Sequence, residues 1–199
     1  MIVITNPNTI SNEINTIHSL FESGLELLHV RKPDFSEVEM SAFLSEIKLE
    51  YHQKLVLHSH HQLASEFEIN RIHFTEKSRI ETAEEILKTN KQIGFTLSTS
   101  VHKIADFEAL SSLFHYALFG PVFKSISKPN YISNLDFKKE LEKRTNNKTA
   151  LIALGGISSE SITTALKYGF NDVALLGSIW NSNKPIEKFK LCQQIALSY

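Results

Sequence analysis

The chain is nearly without cysteine. Cys192 stands alone among 199 residues, so no internal disulfide can form, and a reducing, cytoplasmic setting is expected. Charge of one sign is also lacking: 21 Lys and Arg face 22 Asp and Glu, a formal net charge of -1. Such a surface gains little from polyanions or lipid headgroups, which argues against a general nucleic-acid or membrane binder. There is no long apolar run. Met1 leads straight into Ile2, Val3 and Ile4 with no basic leader, so neither a signal peptide nor a transmembrane segment is expected. No low-complexity tract or long linker interrupts the chain, and residues 1–199 read as a single domain.

What is present is an ordinary globular mixture, 42% hydrophobic and 22% charged, arranged as an alternation. Eight short apolar runs recur: "IVIT" (2–5), "LELLHV" (25–30), "KLVLHS" (54–59), "RIHF" (71–74), "QIGFTL" (92–97), "YALFGPVF" (116–123), "ALIALGGI" (150–157) and "DVALLGSI" (172–179). Amphipathic segments lie between them. Ile10, Ile14, Ile17 and Phe21 share one helical face that Gly24 closes. Ile162, Ala165 and Leu166 share another, closed by Gly169, with Ser158 or Ser159 as its cap. Runs that are continuous rather than alternating imply strands buried on both faces, as in a parallel sheet. Eight such units predict an α/β fold, a single-domain (β/α)8 TIM barrel with short loops. An open doubly wound sheet would use fewer strands, and no glycine-rich dinucleotide fingerprint follows the first run.

In a barrel the C-terminal strand ends form the active-site mouth, and the loops after strands seven and eight often hold phosphate. Here those ends read "LGGIS" (154–158) and "LLGSI" (175–179). Gly155, Gly156 and Gly177 let backbone N–H groups approach a ligand, with Leu176 and Ser178 beside them. Glycines also serve plain tight turns, but two glycine-bearing ends at these two positions favour a phosphorylated ligand. The stretch "FGPVFKSISKPNY" (119–131) leaves strand six with two hydroxyls and a lysine, Ser125, Ser127 and Lys128, suited to phosphate oxygens. Arg31, at the end of strand two, suits a second anionic group.

"YALFGPVFKSISK" (116–128), "LIALGGIS" (151–158), "DVALLGSIW" (172–180) and "LHVRKPD" (28–34) resemble segments of the thiamine phosphate synthase and TenI family, and the resemblance spans nearly the whole chain. It implies an enzyme of thiamine biosynthesis whose small-molecule partners are a thiazole phosphate and a pyrimidine diphosphate, with magnesium assisting departure of diphosphate in the synthases. By resemblance, Arg31 lies against the pyrimidine or its diphosphate, and Thr96 stands near the leaving group. Ser125 and Ser127 belong to the thiazole phosphate loop, Lys128 contacts the diphosphate, and Gly155, Gly156, Leu176 and Gly177 grip phosphate. The strand-three end, where the family has Asn-Asp, reads His58-Ser59 here. No aspartate follows strand four, and Pro33 replaces the strand-two lysine.

A site without aspartates holds magnesium poorly. Mg2+ is therefore expected only if synthase activity is retained, and no other cofactor is expected. The TenI branch moves a proton on a thiazole carboxylate phosphate without metal, so a tautomerase role is favoured. Its usual histidine falls at Pro121, which leaves His29 and His58, with Lys128, as the catalytic candidates. The "HSHH" cluster (58–61) matches no zinc spacing, so no metal site is expected there, and His60 and His61 are read as opening the third helix. The alternatives are a non-catalytic binder of thiazole phosphate or thiamine phosphate, and an unrelated phosphate-binding barrel isomerase. Barrels of this size often form homo-oligomers, which leaves assembly open.

Overall fold

The computed structural model describes residues 1–123 and 137–199. Eight parallel strands close into a ring in chain order: β1 (Ile2–Ile4), β2 (Leu27–Val30), β3 (Leu55–Leu57), β4 (Arg71–Phe74), β5 (Thr96–Val101), β6 (Phe114–Phe119), β7 (Ala150–Leu154) and β8 (Asp172–Leu175). Around them, among the described residues, run α1 (Glu13–Glu22), α2 (Glu37–Ser45), α3 (Glu76–Glu81), α4 (Glu84–Gln92), α5 (Ile104–Glu108), α6 (Phe137–Leu141), α7 (Ile162–Lys167), α8 (Gly177–Trp180) and α9 (Pro185–Leu197). The expected barrel is therefore the fold. No described helix is long and apolar enough to cross a membrane.

The strands alternate between two environments, as a period of two requires. Val3, Leu28, Val30, Leu55, Leu57, Ile72, Phe74, Leu97 and Val101 face outward into the shell of helices. The intervening positions face the barrel interior, where Ile2, Ile4, Tyr116, Leu118, Ile152 and Ala174 form a separate apolar cluster. That cluster fills only the side built by β6, β7, β8 and β1. The inward positions of β2, β4 and β5 are His29, His73, Ser98 and Ser100. The interior is thus half aliphatic and half polar, and the polar half sits under the mouth.

Three local expectations need correction. The run at 92–97 is not the fifth strand. α4 extends through Gln92, the chain turns at Gly94, and β5 begins only at Thr96. Ile93 is two-thirds exposed, so the apolar look of "QIGF" marks a helix end. Thr96 is therefore the first residue of its strand, paired with Arg71 at the N-terminal end of the barrel and away from the mouth. The third unit has no α-helix: His61–Ala64 form a single 3-10 turn, and His60 before it adopts a left-handed conformation, φ 53°. Finally, the start of α7 is capped by neither Ser158 nor Ser159. Ser161 precedes the helix, and its hydroxyl accepts from the Ser158 N–H and donates to the Gly156 carbonyl.

Candidate active site

The site grows from the C-terminal ends of the strands, where two groupings stand on opposite sides of the mouth. The first follows β7, β8 and β1. A cavity of about 400 Å³ is lined by Asn6 and Asn8 after β1, by Leu154, Gly155 and Gly156 after β7, and by Leu176, Gly177, Ser178 and Trp180 after β8. Gly155 is obligatory: φ is 92°, and a Cβ there would lie 2.7 Å from the Pro121 backbone. The close approach lets the chain leaving β6 stitch onto β7, with Val122 N–H donating to the Leu154 carbonyl at 2.9 Å and Phe123 N–H to the Gly155 carbonyl at 3.0 Å. Gly156 is also left-handed, φ 67°. The N–H groups of Gly156, Gly177 and Ser178 find no acceptor among the described residues; for Gly177 and Ser178 this is expected of chain entering α8. The Ser178 hydroxyl is buried with no partner there. Trp180 fixes this corner by donating from its indole N–H to the Ile4 carbonyl at 2.6 Å. Donors without acceptors around a cavity suit an anion rich in acceptor oxygens.

The second grouping hangs from β2, β3 and β4. His29 is completely buried and central. Its Nε2 shares a 2.6 Å hydrogen bond with the Tyr116 hydroxyl, and its Nδ1 shares a 2.8 Å hydrogen bond with His58 Nε2. His58, half-buried at the end of β3, stacks on His73 with ring centroids 4.1 Å apart. His73 is held from both sides, Nδ1 to Ser98 Oγ and Nε2 to Ser100 Oγ, each at 2.9 Å. His58 Nδ1 has no hydrogen bond to a described residue and is the ring nitrogen left for the mouth.

Burial dominates the electrostatics. Desolvation, with the charge of Arg71 as a lesser cause, brings His29 down to about 3. Desolvation again leads at His58 and His73, followed by their mutual repulsion with His29 and the nearby charge of Arg31, and both fall well below the ordinary imidazole value. All three rings are neutral near pH 7. Burial also pushes the Tyr116 phenol up, so it keeps its proton.

Of the sequence candidates, Gly155, Gly156, Leu176, Gly177 and Ser178 converge on the cavity, and His29 and His58 meet in one hydrogen-bonded pair. Arg31 is anchored by its backbone, its N–H donating to Thr5 Oγ1 at 2.8 Å and its carbonyl accepting from that hydroxyl at 3.1 Å. Thr96 is removed from the mouth by the shift of β5. Ser125, Ser127 and Lys128 lie outside the described residues. Sequence reasoning missed Asn6, Asn8, Tyr116, Ser98 and Ser100, and it gave His73 no role in the site. A strict two-residue reading of "RIHF" and "TLSTSV" would have put His73, Ser98 and Ser100 on one inner face. It also missed Lys32, whose Nζ reaches Glu13 Oε2 at 2.6 Å and the Asn8 carbonyl at 3.0 Å, fully buried beside the mouth loop.

A family model described as thiamine monophosphate synthase matches residues 1–179. The thiamine-phosphate synthase of Dictyoglomus thermophilum is 26% identical over 193 residues, spanning 94% of this chain and 84% of that protein. Among solved structures, thiamine phosphate pyrophosphorylase from Bacteroides thetaiotaomicron superposes with a TM-score of 0.76 at 24% identity, covering 98% of this chain and 96% of that one. The thiamine phosphate pyrophosphorylase of Pyrococcus furiosus gives 0.78 at 15% identity, covering 99% and 95%. At these identities the structural matches establish the barrel.

Proposed function

The chain belongs to the thiamine monophosphate synthase family, and from that premise we propose that it binds a thiazole phosphate at the barrel mouth and catalyses a proton shift on the thiazole, a tautomerase reaction of the TenI kind. The observation that carries this reading is the pairing of a cavity rimmed by unsatisfied donors with a cluster of neutral imidazoles where carboxylates would be needed for the synthase reaction. The phosphate sits on the N–H groups of Gly156, Gly177 and Ser178 and on the Ser178 hydroxyl. By resemblance, Ser125, Ser127 and Lys128 add to this grip. Arg31 takes a second anionic group, such as a ring carboxylate.

His58 is the proton acceptor, through Nδ1. Its Nε2–H then donates to His29 Nδ1, so the incoming charge is shared with a second ring. In the free protein the depressed value of His58 makes it a weak base. Arg31 is one cause of that depression, after burial and the neighbouring histidines. An anionic group on Arg31 offsets that cause, so His58 rises toward its working range when substrate is bound. The proton leaves one ring position and returns at the conjugated one, with no net transfer.

Magnesium, which the family implies for diphosphate departure, does not fit this mouth. It demands hard oxygen ligands in octahedral array, and the ends of β3 and β4 offer His58 and His73. No step is assigned to it. The curated relatives' names favour a second reading, joining of thiazole phosphate to a pyrimidine diphosphate. A paired turnover assay separates the two. Aromatisation of a thiazole carboxylate phosphate, with no thiamine phosphate made from thiazole phosphate, pyrimidine diphosphate and magnesium, is expected. Thiamine phosphate in the second assay would overturn the tautomerase reading. Silence in both, with thiazole phosphate bound, would make the protein a binder.

A further inference from the structure

Three imidazoles converge inside the barrel from three successive strand ends. His29, His58 and His73 each offer one ring nitrogen, and these atoms lie within 4.8 Å of one another. We propose that His29, His58 and His73 form a binding site for a divalent transition-metal ion of zinc's class, three imidazole ligands with a fourth position open toward the mouth.

The donor set selects the ion. Imidazole suits zinc, cobalt, nickel and copper, whereas magnesium and calcium take oxygen. Three histidines with an open fourth position is a recurrent zinc arrangement. The geometry requires modest adjustment. Zinc–nitrogen bonds of about 2.1 Å keep two ligands within about 4.2 Å of each other, so any pair standing wider than that must draw in. The His29 Nδ1 to His58 Nε2 pair, at 2.8 Å, opens slightly as the ion replaces the shared proton. His58, the half-buried member, has room to turn.

The outer contacts fit ligation. With Tyr116 accepting from His29 Nε2–H at 2.6 Å, the Nδ1 lone pair faces the ion. His73 keeps one of its two serine hydroxyls, Ser98 or Ser100, and frees the other nitrogen. Such partners fix ring orientation at metal sites. The rings are also neutral, the form that ligates. Neighbouring inward positions are filled by Ile4, Leu118 and Ile152, so this layer accepts aliphatic side chains, and a mere filler would not need three imidazoles. With His58 Nε2 on the ion, the neutral ring carries its proton on Nδ1, the nitrogen proposed as the base, so loading should suppress the proposed proton shift. The metal site itself does not depend on that reading.

The test uses the full chain, untagged and stripped with chelator, titrated with cobalt chloride and then zinc chloride. One equivalent of Co2+ should give the intense visible bands of a four-coordinate nitrogen site, and Zn2+ should displace it and raise the melting temperature. His58→Gln should weaken Co2+ binding at least 100-fold with the far-ultraviolet spectrum unchanged. His73→Gln should do the same and guards against a fault peculiar to one variant. Absence of saturable binding to the wild type would overturn the proposal, as would binding that persists in both variants. Loss of stability in the variants without any cobalt spectrum in the wild type would make the cluster purely structural and overturn it as well.

Discussion

Ser178 carries a hydroxyl that is buried and, among the described residues, bonded to nothing. A buried hydroxyl without a partner costs free energy, and a ligand oxygen would recover it. Ser178→Ala is therefore expected to leave the melting temperature of the free protein unchanged or slightly higher. It should weaken thiazole phosphate binding roughly tenfold, the worth of one hydrogen bond to a charged group at about 1.5 kcal/mol; calorimetry reads both. Unchanged affinity would remove the serine from the phosphate grip. Gly155→Ala acts differently. Its Cβ would meet the Pro121 backbone at 2.7 Å, at a φ of 92°. Strain of this kind costs on the order of 1–3 kcal/mol, so denaturant unfolding should show a loss of at least that size. Arg31→Ala should weaken binding of the carboxylated thiazole more than of the plain thiazole phosphate, because only the former offers a second anion.

At the scale of elements, the loop from β1 into α1 is tied to the end of β2 by one buried ion pair. Lys32 Nζ meets Glu13 Oε2 at 2.6 Å under the rings of Phe35 and Phe43, with centroids 5.5 and 5.0 Å away. Burial raises the Glu13 carboxyl, and Lys32 is the main influence drawing it back. Removing one partner strands the other charge, so Glu13→Leu alone is expected to cost about 3–5 kcal/mol. Glu13→Leu with Lys32→Met should recover much of that loss, since a buried pair replaced by apolar groups is often neutral. A urea series on the single and double variants checks it; equal losses would show that the lysine is not held by the glutamate. The Asn8 carbonyl also accepts from Lys32, so the single variant should loosen the cavity wall and reduce ligand affinity.

For the whole molecule, the buried histidines set an acid limit. In the unfolded chain each titrates near 6.5; in the fold His29 falls to about 3, and His58 and His73 well below 6.5. Between those values the unfolded state binds more protons, so stability rises with pH. It is complete above about 6.5 and is lost progressively as the pH falls toward 3. Each ring contributes a slope of at most about 1.4 kcal/mol per pH unit. Urea midpoints of chelator-treated protein from pH 7 to pH 4 should fall accordingly, and His73→Gln should flatten the curve by one ring's share. A flat wild-type profile would mean that the rings protonate in place.

The sequence by itself determined the barrel. Eight buried strands must be apolar on their outer faces, and the runs ending in "LGGIS" and "LLGSI" marked the last two loops because only glycine permits the close backbone approach at Gly155. The boundary of β5 was not legible, since "QIGF" is as apolar as a strand while its isoleucine faces solvent at a helix end. Nor was the joining of His29 to His58 and His73, or of Lys32 to Glu13. Inward side chains from different strands meet only once the ring closes, and local pattern does not encode which residues then share a layer. Closure of the barrel decided that the polar half of the interior is a connected set of imidazoles and hydroxyls. It also decided that the unsatisfied donors of two separate loops open onto one cavity.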